Sequence, residues 1–86
     1  MEYISADKLE ELLNYPDLVD ALRNGFRSDY DIPQRVHHDY PNPEEKSAST
    51  LLLMPAWRAG HFLGVKIITV SPHNGEYDRP SIQGIY

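Results

Sequence analysis

The sequence contains no cysteine, so neither a disulfide nor a thiolate can enter its stability or its chemistry. Basic residues are scarce, 8 Lys plus Arg against 13 acids and a formal charge of −5, so no basic stripe is available to neutralise a phosphate backbone. Nucleic-acid binding is not expected. Long apolar runs are also missing: Leu51 to Trp57 is the longest, far below the roughly 20 residues of a membrane span. Met1-Glu2-Tyr3 lacks the basic and then apolar pattern of a signal peptide, so a protein without membrane contact and with a cytoplasmic location is expected. The sequence holds no G-x-S-x-G elbow and no G-x-x-x-x-G-K-[ST] loop, and no serine has His and Asp partners in a recognisable pattern. Nucleophilic catalysis therefore has no support.

What is present fits one small domain of 86 residues. Such a chain buries roughly 60% of its unfolded surface, which makes a core marginal and help from a partner surface an expectation. Eight acids and three bases fall in residues 1–31, and five of each in residues 32–86. In the acidic part, Leu9, Leu12 and Leu13, then Leu18, Val19, Leu22 and Phe26, recur at helical spacing. Two short amphipathic helices are predicted within residues 5–28. Ser5 is placed to cap the first, and Pro16 suits the opening turn of the second, which should run to about Ser28. Tyr3 and Ile4 suggest a short strand before them.

From Ile32 onward the period becomes extended. Arg35, His37 and Asp39 alternate with Val36, His38 and Tyr40, which predicts a strand with the two sets on opposite faces. Pro41 to Ser47 reads as a turn, and residues 48–57 as a strand buried on both faces. Arg58-Ala59-Gly60 turns the chain into a third strand, His61 to Val70, and Ser71 to Pro80 reads as a loop. The sheet thus occupies residues 32–86 in an α+β domain, with the two helices expected to pack on a small mixed or antiparallel sheet. Ser81 to Tyr86 is strand-like to the last residue, so this strand is expected either to pair at an edge or to belong to a longer protein.

Few residues invite chemistry. Lys66 interrupts the apolar stretch Phe62 to Val70, and an ammonium leaves water only at high cost unless it meets a carboxylate or a polar ligand. Alternation equally allows Lys66 to lie on a solvated face. Arg35, mid-strand after Pro33, has the fork geometry to clamp a carboxylate, though a lone strand arginine is commonly a surface residue. Together the two would form a small cationic site in an acidic protein. The four histidines show no ligand spacing: His37 and His38 point to opposite faces, and His61 and His73 lie in turns, so no metal is expected.

Taken in order, Tyr3-Ile4-Ser5, the two helices, Pro33-Gln34-Arg35, Leu52-Leu53-Met54-Pro55-Ala56, Gly64-Val65-Lys66-Ile67, the Pro72 to Asn74 loop and Ser81-Ile82-Gln83-Gly84 resemble the ornithine cyclodeaminase and mu-crystallin family. The resemblance spans the whole chain through short motifs whose order and spacing carry it. It implies an N-terminal substrate-binding and dimerisation domain, here without the Rossmann domain that holds NAD or NADP in that family. The G-x-G-x-x-G fingerprint is accordingly absent.

By this resemblance Arg35 grips the substrate α-carboxylate, and Lys66 lies beside the amino or imino nitrogen and assists proton transfer there. A lysine desolvated beside an arginine suits that task. Met54 lines the same pocket, and Ser81 stands near the nicotinamide. Where ornithine-deaminating members carry an acid, this chain has Leu52. That favours a small amino acid, a keto acid or a cyclic imine carboxylate over ornithine as ligand. The implied activity is that of an amino-acid dehydrogenase, imine reductase or cyclodeaminase, inert without its nucleotide domain, in a homodimer joined sheet to sheet. The competing reading is a non-catalytic, self-associating β-sheet module in which Arg35 and Lys66 are surface cations.

Overall fold

A computed structural model describes residues 1–43 and 47–86. Helix α1 spans Ala6–Leu12, where the Ser5 hydroxyl accepts the Lys8 amide at 3.2 Å and Asp7 favours the positive end of the dipole. Helix α2 spans Tyr15–Phe26 and is capped by Asn14, whose Oδ1 accepts the Asp17 amide at 3.0 Å with Pro16 in the first turn. It ends two residues earlier than the spacing predicts, because the Ser28 hydroxyl donates to the Asn24 carbonyl at 2.7 Å and closes the last turn. Tyr3 and Ile4 form no strand.

Four strands follow: β1 Val36–Tyr40, β2 Ser49–Arg58, β3 Phe62–Val70 and β4 Ile82–Ile85. They form a single sheet in the order β1-β2-β3-β4, with every neighbouring pair antiparallel and no parallel component. The Arg58 to Phe62 turn carries Gly60 at φ 76, a left-handed value a side chain resists. The loop after β3 contains a 3-10 helix, Pro72–Tyr77. Residues 44–46 of the expected Pro41 to Ser47 turn lie outside the described residues.

Strand β1 begins at Val36 rather than Ile32 for a reason visible in the ladder. Asp31 pairs with Trp57 through both amides, at 2.9 and 3.0 Å, and Val36 pairs with Leu53, so residues 32–35 face only residues 54–56. One extra residue on this side makes a bulge. Trp57 turns its N–H and C=O toward this edge, so by alternation Pro55 does too, and its missing N–H falls at the gap. A proline is thereby tolerated in a central strand, and the β2–β3 ladder runs unbroken from Thr50↔Val70 to Arg58↔Phe62.

The α+β class is as the sequence predicts, but the packing is not. No apolar side chain is buried, Ser49 is the one buried residue among those described, and the extensive contacts between elements all join strand to strand. Leu9, Leu12, Leu13, Leu18 and Leu22 remain exposed, so the helices do not cover the sheet as a packed layer. Strand β2, expected to be buried on both faces, is only half-buried for the same reason. The accessible surface is 7641 Å², whereas a compact chain of 9.9 kDa exposes about 5,200 Å². The radius of gyration is 16.5 Å against about 12 Å for a compact domain of this length. Among the described residues no helix is long and apolar enough to cross a membrane.

Candidate functional site

Register decides which side chains share a face. Met54 pairs with Lys66 across β2 and β3, so both stand on the same side of the sheet. The pairs His37↔Leu52 and Asp39↔Thr50 belong to that side as well. Arg35 directly precedes β1, among the bulged residues 32–35, next to Val36, whose partner is Leu53. Met54 and Lys66 therefore form a transverse row across β2 and β3, with Arg35 at the start of the neighbouring strand β1. With strands about 4.8 Å apart, β1 and β3 are separated by about 10 Å at the backbone.

Neither Arg35 nor Lys66 has an ion-pair partner among the described residues, and the same holds for Arg27, Arg58 and Arg79. Lys66 is set apart by its place opposite Met54, and Arg35 by its place at the start of β1. Lys66 is exposed, as is Arg35, so the desolvation expected around Lys66 is not supplied by the described residues. Met54 is half-buried between them.

At its β4 end the face is closed by an aromatic ring. The Tyr86 hydroxyl lies over Gly64, where a Cβ would overlap it and would come within 3.0 Å of the ring's Cζ. Gly64 is therefore a place of close approach, and the side of Lys66 nearer Gly64 is occupied.

Ser81 is not brought to the row. Its carbonyl accepts the Ser71 amide at 2.8 Å, five residues along β3 from Lys66, which is about 17 Å of strand. The Ser71 hydroxyl meets that of Ser49 at 2.9 Å, and Ser49 lies on the opposite face from Met54. Asn74 completes this loop by donating from Nδ2 to the Pro80 carbonyl at 2.9 Å.

A cluster of which only His37 was weighed from the sequence, as a metal ligand, begins one row from Met54. Asp39 Oδ1 accepts from the Thr50 hydroxyl at 2.7 Å and lies 3.1 Å from His37 Nε2. The Thr50 and then the His37 hydrogen bond hold the Asp39 carboxyl below its ordinary range. The alternation of Arg35, His37 and Asp39 was the sequence signal for it. His73 sits apart, with Nδ1 3.0 Å from Glu76 Oε1, and among the described residues no group of three or more His, Asp or Glu converges on a metal position.

No family model matches the chain, and no solved structure matches it. It is similar to an uncharacterized protein of Schizosaccharomyces pombe, 36% identical over 99% of this chain, and to SAR DEFICIENT 4 of Arabidopsis thaliana, 31% identical over 98%. It is also similar to a Delta(1)-pyrroline-2-carboxylate reductase of Colwellia psychrerythraea, 26% identical over 95% of this chain. In each case the match covers 26% of the relative, so the chain spans about a quarter of the length of these curated relatives.

Proposed function

We propose that these residues form the substrate-binding and dimerisation part of an NAD(P)-dependent enzyme of the ornithine cyclodeaminase and mu-crystallin family, acting on a cyclic imine carboxylate or a small amino acid. The observation that carries this reading is Lys66 opposite Met54 on one sheet face, with Arg35 at the start of the strand next to β2. The match to a protein named as a pyrroline-2-carboxylate reductase supports the substrate class.

In this reading the Arg35 guanidinium, carried just before β1, holds the α-carboxylate as a bidentate ion pair. Met54 forms the apolar floor under the α-carbon. Lys66 faces the substrate nitrogen and exchanges a proton with it, a task made effective once a second surface covers the face and excludes water. A nicotinamide, when bound, supplies or accepts hydride at the α-carbon. The chain has no glycine-rich phosphate loop, so it contributes no dinucleotide cradle of its own, and Ser81 receives no role at the reacting atoms.

Dimerisation belongs to the same proposal. The chain exposes about 2,400 Å² beyond what a compact monomer shows, several times the roughly 800 Å² each partner gives to a standard interface. Open faces alone would equally suit a sheet that self-associates without catalysis, and the roles of Arg35 and Lys66 separate the two. In the protein at its full encoded length, Arg35→Ala should weaken L-proline binding more than tenfold by calorimetry, as loss of a bidentate charged pair requires. Lys66→Ala should keep binding and lose turnover. Unchanged proline affinity in Arg35→Ala would leave only the non-catalytic module.

A further inference from the structure

The proposed site uses Arg35, Met54 and Lys66 and leaves His37, Asp39 and Thr50, on the face of Met54 and Lys66, without a task. We infer that His37 is a specificity residue of this site, accepting at Nδ1 a hydrogen bond from a hydroxyl group carried on the substrate's ring or side chain. This rests on the reading of Arg35 and Lys66 given above and extends it to the substrate's far end.

Three observations lead there. First, His37 occupies the cross-strand partner position of Leu52, next to Met54 on the same face, so a molecule held by Arg35 and Lys66 over Met54 has Leu52 and His37 as its neighbours. Second, the other direction is blocked. The Tyr86 ring lies over Gly64, which leaves the carbon skeleton to extend over Leu52 and Ile68, with His37 at the edge.

Third, the tautomer of His37 is set by its partner. An ionised Asp39 only accepts, so the contact from His37 Nε2 at 3.1 Å is a donated N–H. With Nε2 as the donor, Nδ1 is the ring's one possible acceptor, and among the described residues no hydrogen bond reaches it. Thr50, donating to the same carboxylate oxygen at 2.7 Å, fixes the carboxylate that fixes the ring. Leu52 and Ile68 supply apolar contact for the carbon skeleton and no polar group that could take the hydroxyl's place.

The test is a calorimetric titration of the protein at its full encoded length with L-proline, 4-hydroxy-L-proline and 4-fluoro-L-proline, which share the carboxylate and amine and differ at one ring substituent. The hydroxylated ligand should bind roughly tenfold tighter than proline, the worth of one added hydrogen bond, and the fluorinated one, which cannot donate, no tighter than proline. His37→Phe should bring the hydroxyproline-to-proline ratio to about one, and Asp39→Ala should remove most of the preference by releasing the ring. Nitrogen NMR of the imidazole should show the Nε2–H form, with Nδ1 shifting on addition of 4-hydroxyproline and not of proline.

A ratio near one in the unsubstituted protein overturns the inference. So does a preference that survives His37→Phe, a preference for the fluorinated ligand, or a ring protonated at Nδ1. If any of these occurs while Arg35→Ala still abolishes proline binding, the substrate site stands and His37 alone is misassigned. If no ligand binds, or Arg35→Ala changes nothing, the site reading itself fails and this inference with it.

Discussion

Placed in dilute solution by themselves, residues 1–86 should not hold a monomeric native state. Fully unfolded, a chain of 9.9 kDa exposes about 14,400 Å², so a folded surface of 7641 Å² buries about 47%, where compact proteins of this size bury about 64%. The shortfall of about 2,400 Å² is apolar over more than half its extent by ordinary surface composition, or on the order of 1,300 Å². At ~25 cal/mol per Å² the burial forgone is worth on the order of 30 kcal/mol, several times the about 5–15 kcal/mol by which domains are stable.

Sedimentation velocity and circular dichroism on the isolated 86 residues, from low to tens of micromolar, check this. The expected result is either an unfolded chain or an oligomer whose melting temperature rises with concentration, as mass action demands. A single monomeric species with a sharp, concentration-independent melt would refute the area argument, and with it the physical basis for a dimer.

The Asp39 network gives a pH test whose sign follows from its partners. Thr50 and His37 stabilise the carboxylate, so the folded value lies below the unfolded one. The contribution is complete above the ordinary carboxylate range and is lost as pH falls through the lowered value. Carbon NMR of the Asp39 carboxyl should give a midpoint below about 3.9, rising in Thr50→Val, and a midpoint at or above that value would contradict the geometry. At the other end of the sheet, Ser49→Ala removes the 2.9 Å contact that ties β2 to Ser71. It should cost about 1 kcal/mol by denaturant unfolding of the full-length protein and speed exchange of the Ser71 amide, whereas unchanged exchange would show that Ser49 does not hold the loop.

Much of this protein could be read from local pattern. The spacing of Leu9, Leu12 and Leu13 marks α1, and Ser5 caps it, because a helix start depends on residues three or four apart. The break at Asn14 to Asp17 separates the helices, with Asn14 acting as a cap through a short-range contact. Alternation from Val36 to Tyr40 assigned each side chain its face correctly, since a strand's period of two is a property of the strand itself. The ends of β2 and β3 fell within a residue of expectation on the same ground.

Other features required the strands to be set against one another. That Lys66 stands opposite Met54, and that Ser81 is five residues away and fastened to Ser71, follows from register, a relation between distant segments that no local pattern encodes. The bulge that delays β1 until Val36 arises because Asp31 pairs with Trp57 while Pro55 withholds a donor, two facts far apart in the chain. Burial is likewise collective: residues 48–57 are apolar enough for a covered strand, but covering depends on what lies above each face. Local sequence thus determined the elements and their faces, through short-range sterics and hydrogen bonding. Tertiary pairing alone decided what stands opposite Lys66 and how much apolar surface remains open.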